Sequence, residues 1–171
     1  MEERTGIITM KGNPLTLVGK ELKTGDNAPE FEILDNELSK IELSTFRGKV
    51  CVISTVPSLD TPVCDVETRR FNEEAGMLGA DVQIITISMD LPFAQKRWCG
   101  AAGVDKIITL SDHFDASFGK AYGVLIKQLR LLSRAIFVVD REGIIQYIQI
   151  VKEVTDEPDY NAVIEAVKKV V

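Results

Sequence analysis

Residues 50–70 read Val50-Cys-Val-Ile-Ser-Thr-Val-Pro-Ser-Leu-Asp-Thr-Pro-Val-Cys-Asp-Val-Glu-Thr-Arg-Arg70. Residues 50–56 are mostly β-branched and apolar, which is typical of a strand buried on both faces of a sheet. A turn-rich loop follows, and Thr61-Pro62 then predicts a helix start, because Thr is a good N-cap residue and Pro is favoured at the first helical position. A buried strand that feeds a helix is the basic unit of an α/β protein.

Patterns on both sides of this stretch continue the alternation of strands and helices. Alternating apolar residues predict strands, and apolar residues at helical spacing predict helices. The predicted strands are 7–10, 15–18, 31–34, 41–43, 50–56, 81–88, 106–110, 135–140 and 144–151, and the predicted helices are 62–77, 92–102, 114–122 and 160–171. We expect an α/β, thioredoxin-like fold, in which helices flank a mixed central sheet and an N-terminal β-hairpin is added.

Size, charge and hydropathy exclude several classes of protein. The chain has 171 residues, enough for one domain over 1–171 with its own core and a hairpin extension at about 1–22. Lys and Arg number 20 against 26 Asp and Glu, so the chain is acidic and we expect no nucleic-acid partner. No segment approaches the roughly 20 apolar residues of a membrane span, and the N-terminus is unlike a secretory signal. We therefore expect a cytoplasmic protein that does not bind membranes.

Cysteine and histidine counts are the most informative composition facts. Three cysteines cannot form a fully paired disulfide framework, and the chain has no Cys-x-x-Cys motif. The single histidine, His113, leaves little for a metal site. The cysteines are therefore either structural thiols or thiols that do chemistry. Cys51 lies within a predicted strand, where we expect an inert core residue.

Cys64 is the third residue of the predicted helix. Amides of the first helical turn lack partners within the helix, and the helix dipole is positive there, so both favour a thiolate over a thiol. Asp65 and Glu67 bring opposing negative charge, so a cation would have to lie nearby. The alternative is that Cys64 is a small apolar residue that fills space at a helix start.

The spacing Pro57-x-x-x-Thr61-x-x-Cys64 is the active-site signature of the peroxiredoxins. The strings 58–64 and 90–99, Ser-Leu-Asp-Thr-Pro-Val-Cys and Asp-Leu-Pro-Phe-Ala-Gln-Lys-Arg-Trp-Cys, resemble the thiol peroxidase subfamily in particular, as do the N-terminal hairpin and the entry Gly-Asp-Asn-Ala-Pro-Glu-Phe at 25–31. The resemblance covers essentially the whole chain and supports the thioredoxin-like fold.

This resemblance implies a role for each matched residue. Cys64 would be the peroxidatic cysteine, which attacks a hydroperoxide and becomes a sulfenic acid. Thr61 would hydrogen-bond the peroxide or the thiolate, Pro57 would shield the pocket, and Arg134 would be the missing cation. Cys99 would be the resolving cysteine, which forms a disulfide with Cys64. Because a disulfide needs Cα atoms within about 7 Å, we expect local helix unwinding on oxidation.

The resemblance also implies the partners of the reaction. The substrates would be hydrogen peroxide and organic hydroperoxides, the reductant a thioredoxin-type dithiol protein, and the assembly a homodimer that serves antioxidant defence. No cofactor is expected, because cysteine does the redox work. Two alternatives remain open: a thioredoxin-type oxidoreductase, which the missing Cys-x-x-Cys disfavours, and a redox sensor or interaction module that uses the same sulfenate chemistry.

Several large apolar residues lie at helical spacing, and we predict that they belong to the core. They are Phe71, Met77, Phe93, Phe114 and Phe118.

Overall fold

The structure is a computed structural model that describes residues 1–171. In chain order its strands are β1 (Glu3–Met10), β2 (Asn13–Val18), β3 (Glu32–Leu34), β4 (Lys40–Glu42), β5 (Val50–Thr55), β6 (Val82–Ser88), β7 (Ile108–Ser111), β8 (Leu125–Ile126), β9 (Leu131–Leu132), β10 (Ala135–Val139) and β11 (Ile145–Ile150). The α-helices are α1 (Pro62–Leu78), α2 (Pro92–Ala102), α3 (Ser117–Ala121) and α4 (Tyr160–Lys168), and a 3-10 turn spans Leu43–Phe46.

Seven strands form the central sheet in the order β11-β10-β5-β6-β7-β3-β4. The pairs β5–β6 and β6–β7 are parallel, whereas the other pairs are antiparallel. The sheet is therefore mixed, as the sequence predicts. A second sheet, β1-β2-β8-β9, contains the N-terminal hairpin. Strands β8 and β9 are two residues each and are too short to give a sequence pattern.

The two faces of β5 belong to different cores, as expected for a strand in the middle of a covered sheet. Val50 and Val52 pack in the cluster that includes Phe71 of α1 and residues of α4. Cys51 and Ile53 pack in the cluster on the other face. That cluster contains Phe118 of α3 and Tyr122, which follows α3. Cys51 is buried as predicted, and burial raises the pKa of its thiol to about 11. None of the helices combines the length and apolar character needed to cross a membrane.

The predicted start of the third helix is wrong. The sequence predicts a helix over 114–122, but α3 begins at Ser117, because Ala116 takes a left-handed conformation with φ of 56°. The Asp112 carboxylate then accepts hydrogen bonds from the backbone amides of Phe118 (3.0 Å) and Gly119 (2.8 Å). This aspartate satisfies amides of the first helical turn and fixes where the helix begins.

The predicted burial of the large apolar residues is right for two positions and wrong for three. Phe71 and Phe118 are buried. Met77, Phe93 and Phe114 are 72%, 65% and 80% exposed, so they are not core residues. Helical spacing does not reveal which face a residue occupies near a helix end, and Phe114 lies in the loop before α3.

One carboxylate connects the N-terminal hairpin to the segment after β11. Glu153 accepts hydrogen bonds from the hydroxyl of Thr9 (2.7 Å) and from the amides of Lys11 (2.9 Å) and Gly12 (3.1 Å). Backbone bonds reinforce the contact, since the Val154 amide donates to the Thr9 carbonyl at 2.9 Å. The hydrogen bond from Thr9 contributes most, and together with those from the amides it lowers the pKa of Glu153 to about 2.

Replacing Glu153 by Gln should loosen the hairpin near neutral pH, because the amide is a weaker acceptor than the carboxylate. Folding lowers the pKa of Glu153, so the carboxylate stabilises the hairpin fully at pH values above its ordinary pKa of 4.5. This stabilisation is lost as the pH falls towards the folded-state pKa of about 2. Hydrogen exchange at the Thr9 and Val154 amides should be faster in the variant at neutral pH, with a difference that shrinks in acid. Equal exchange rates at neutral pH would contradict this account.

Candidate active site

The peroxiredoxin-like segment lies at the carboxyl end of β5. Helix α1 begins at Pro62, and Thr61 is its N-cap residue with extended backbone (φ −93°, ψ 147°). Cys64 is therefore the third helical residue, as predicted, and its side chain is buried. Pro57 is also buried, in the loop before the helix.

Thr61 does not cap the helix with its side chain. Its hydroxyl donates to the carbonyl oxygen of Ser58 at 3.0 Å and makes no hydrogen bond to the amides of the first turn. The proton of the hydroxyl is therefore committed to the loop. The lone pairs of the oxygen stay available as acceptors at the helix start.

Arg134 supplies the cation that the sequence requires beside Cys64. It lies directly before β10, it is buried, and its Nη2 donates to the Cys64 sulfur at 3.3 Å. Its Nη1 donates to Glu67 Oε2, and its Nε donates to the carbonyl oxygen of Val154 at 3.0 Å. All three guanidinium nitrogens thus have a partner, which fixes the plane of the group against the sulfur.

Glu67 is the buried counter-ion of Arg134. It lies one helical turn after Cys64 and also accepts a hydrogen bond from the Ser54 hydroxyl at 2.8 Å. Burial raises the pKa of Glu67, while Arg134 and Ser54 act in the opposite direction. Burial lowers the pKa of the Arg134 guanidinium, but the interactions with Glu67 and Cys64 raise it by more, so the pKa is raised overall. The arginine therefore stays charged and faces both the Glu67 carboxyl group and the Cys64 sulfur.

A second carboxylate holds the loop before α1. Asp90 follows β6 and accepts hydrogen bonds from the Ser58 hydroxyl (2.7 Å) and the Leu59 amide (2.8 Å) through its two oxygens. The hydroxyl of Ser88, the last residue of β6, also donates to Asp90 at 2.8 Å. The loop that carries Pro57 and Thr61 is therefore tied to the carboxyl end of the neighbouring parallel strand.

Cys99 lies in α2, and its sulfur has a different partner from that of Cys64. Its sulfur is 3.4 Å from the hydroxyl oxygen of Thr109 in β7, and burial raises the pKa of its thiol. Cys64 instead contacts Arg134 at the start of β10, and β5 and β6 separate β10 from β7. All three cysteines are free thiols in this structure.

The structure thus brings together four of the five predicted site residues and leaves the fifth apart. The four are Pro57, Thr61, Cys64 and Arg134, and the fifth is Cys99. Sequence reasoning treated Glu67 only as a competing charge and missed Ser54 and Asp90. The three-residue spacing from Cys64 to Glu67 puts both on one helical face, so a pairing of Glu67 with the expected cation could have been foreseen. No signal in the sequence marks Asp90 as a residue that holds the loop.

Comparisons with known proteins agree with this fold. The family model described as Redoxin matches residues 23–164, which begins after the N-terminal hairpin. The thiol peroxidase of Bacillus subtilis is 58% identical over 164 residues, which cover 96% of this chain and 98% of that protein. The crystal structure of a peroxiredoxin-like protein from Aquifex aeolicus superposes with a TM-score of 0.90 at 46% identity and 98% coverage of both chains. A thiol peroxidase from Chromobacterium violaceum shares the fold at 23% identity, with a TM-score of 0.84 and 95% coverage of both chains.

A thioredoxin-like sheet, with a buried cysteine at the start of its first long helix and a buried arginine against that cysteine, defines the class, and the chain belongs to the Redoxin family. Within that family it is a peroxiredoxin-type thiol peroxidase, because its relatives of that name match it over nearly their whole length.

Replacing Arg134 by Met should destabilise the protein by about 3–5 kcal/mol, because Glu67 would then be a buried carboxylate without its cation. Adding Glu67→Gln in the same chain should restore most of that loss, since the amide keeps the Ser54 contact without a charge. Urea unfolding measures both free energies. A single variant within about 1 kcal/mol of the parent, or a double variant less stable than the single one, would contradict this coupling.

Proposed function

We propose that Cys64 is the peroxidatic cysteine and that the other residues of its cluster position and activate it. The observation that carries this proposal is the hydrogen bond from the buried Arg134 to the Cys64 sulfur. A buried arginine, held by hydrogen bonds from all three of its nitrogens, favours the thiolate over the neutral thiol. A thioredoxin-type dithiol mechanism is disfavoured, since no second cysteine lies at this helix start.

The Cys64 thiolate attacks the terminal oxygen of a hydroperoxide, the O–O bond breaks, and water or an alcohol leaves while sulfur becomes a sulfenic acid. Arg134 faces the sulfur and stabilises the negative charge that develops on oxygen. The Thr61 hydroxyl already donates to Ser58, so its role here is to accept a hydrogen bond from the peroxide O–H. Pro57 keeps water from the pocket. The reaction needs no cofactor, because the cysteine sulfur is oxidised.

The Cys99 thiol then attacks the Cys64 sulfur, water leaves, and an intramolecular Cys64–Cys99 disulfide forms. The Cys99 sulfur contacts Thr109 in β7, whereas the Cys64 sulfur contacts Arg134 before β10, and β5 and β6 lie between these two strands. Cys99 therefore has to leave Thr109, and α2 has to unwind locally, before the two sulfurs can bond. A thioredoxin-type dithiol reduces the disulfide and restores both thiols. We place this cycle in the cytoplasm, in a homodimer, with hydrogen peroxide and organic hydroperoxides as substrates and antioxidant defence as its purpose.

The three cysteines provide the test, because each single Ser variant has a different expected result. Cys64→Ser should abolish hydroperoxide consumption by the purified protein with a thioredoxin system. Cys99→Ser should allow one turnover and then stop. Cys51→Ser is the matched control and should consume peroxide at the parent rate, since its thiol is buried in the opposite core.

Peptide mapping of the oxidised parent should give one linkage, between Cys64 and Cys99, with Cys51 free. Undiminished consumption by Cys64→Ser would overturn the proposed peroxidatic role. Sustained thioredoxin-driven cycling by Cys99→Ser would overturn the proposed resolving role.

A further inference from the structure

Helix α2 is held unequally along its length. Only Pro92 and Gln95 of its eleven residues are buried, and both lie in the first half. The Gln95 side-chain amide donates to the Ser88 hydroxyl (3.0 Å) and to the Leu110 carbonyl (2.8 Å), which fixes this half to the carboxyl ends of two strands. The second half, which carries Cys99, has no fully buried residue. Its attachment therefore depends on two partly buried side chains that pack against the core, those of Trp98 and Ala102, and on polar contacts at its surface.

Three side chains fasten this second half to α1, and we call them the Asp65–Arg69–Trp98 clamp. The indole Nε1 of Trp98 donates to Asp65 Oδ1 at 3.0 Å. Arg69 Nε donates to Asp65 Oδ2 at 2.9 Å, and Arg69 Nη1 donates to the carbonyl oxygen of Ala102, the last residue of α2, at 3.1 Å. The guanidinium also lies over the Trp98 ring, 5.7 Å from its centroid, which is a cation–π contact.

The clamp joins the neighbours of the two reactive cysteines. Asp65 follows Cys64 in α1, and Trp98 precedes Cys99 in α2. The Trp98 ring also packs against the small apolar cluster of Val56, Leu59 and Cys64. If Cys99 moves to the Cys64 sulfur, the helical turn that carries Trp98 has to change shape, and these contacts have to break.

We propose that the Asp65–Arg69–Trp98 clamp sets how long the Cys64 sulfenate lasts, and so determines the division between disulfide formation and over-oxidation. This inference rests on the proposed roles of Cys64 and Cys99. Asp65, Arg69 and Trp98 are positioning residues, because they act on the position of Cys99 and do not contact the reacting oxygen.

Two reactions compete for the same sulfenate. In the first, the Cys99 thiol attacks the Cys64 sulfur, the S–S bond forms and the sulfenate oxygen leaves as water. In the second, the sulfenate attacks another hydroperoxide, the O–O bond breaks, an alcohol or water leaves, and the sulfur is oxidised to a sulfinate. The clamp slows only the first reaction, because only that reaction needs α2 to open. A closed clamp therefore favours sulfinate when peroxide is abundant.

The chain contains a matched control for the clamp arginine. Arg70 is the next residue of α1 and is exposed to the same degree as Arg69. It also pairs with a carboxylate one turn away, Glu74, at 3.0 Å, and it lies 5.4 Å from the centroid of an aromatic ring, that of Tyr160. Tyr160 belongs to α4, however, so Arg70 makes the same kinds of contact without touching α2.

The experiment compares Trp98→Phe, Arg69→Gln and the control Arg70→Gln with the parent, each reduced and then mixed with hydrogen peroxide. Trp98→Phe keeps an aromatic ring and removes the N–H donor. Acid quenching at successive times, followed by intact mass measurement, separates sulfenate, disulfide and sulfinate. The rate of first oxidation is recorded as well, since a general loss of structure around Cys64 would change it.

We expect roughly three- to tenfold faster disulfide formation in Trp98→Phe and Arg69→Gln, because each loses a charge-assisted contact of the clamp. The ratio of sulfinate to disulfide at a given peroxide concentration should fall by the same factor. First oxidation should keep the parent rate, and Arg70→Gln should match the parent throughout.

Equal or slower disulfide formation in both clamp variants would overturn the role of the clamp and leave the proposed cysteine roles intact. Failure of the parent itself to form a Cys64–Cys99 disulfide would overturn the proposed resolving role of Cys99 and the clamp proposal with it, while the peroxidatic role of Cys64 would still be decided by the Cys64→Ser variant.

Discussion

The contact between the Arg134 guanidinium and the Cys64 sulfur, 3.3 Å apart, is the interaction on which the rest of the site depends. A buried cation is costly unless it is paired and hydrogen-bonded. Glu67 and the Val154 carbonyl meet that requirement, and Ser54 in turn holds Glu67. The chain therefore holds one buried positive charge against the Cys64 thiol. The helix dipole alone would not stabilise a thiolate there, because the negative charges of Asp65 and Glu67 oppose it.

Rigidity is distributed unevenly around this contact. Strands β5 and β10 are buried along their whole length, and they hold the loop that leads to Cys64 and the residue before β10, Arg134. Helix α2 buries only Pro92 and Gln95, and its second half is fastened by polar contacts to α1. A firmly held Cys64 and a less firmly held Cys99 are the arrangement that the proposed reaction, with one chemical step and one conformational step, requires.

Much of the fold could be predicted from the sequence, because residues 50–70 contain strong local signals: a β-branched run, a Thr-Pro helix start and a cysteine at the third helical position. These signals are local, and they were confirmed. The start of α3 was predicted wrongly, since it depends on the Asp112 carboxylate and a left-handed Ala116. Strands β8 and β9 were missed because pairing with the N-terminal hairpin, not local pattern, creates them. Likewise, Asp90 reaches Ser58 only through the parallel pairing of β5 and β6.

In the proposed mechanism, Arg134 activates Cys64 towards peroxide beyond what a helix start provides. The most direct measurement compares Arg134→Lys with the parent in two reactions of the reduced protein: oxidation by hydrogen peroxide and alkylation by iodoacetamide. Lysine keeps the charge but cannot reach Glu67 and the sulfur together with a fixed planar group. We expect oxidation to slow by about a hundredfold or more while alkylation slows far less, because only the peroxide reaction develops charge on oxygen beside the arginine. Equal losses in the two reactions, or an unchanged rate of oxidation, would contradict the proposed mechanism.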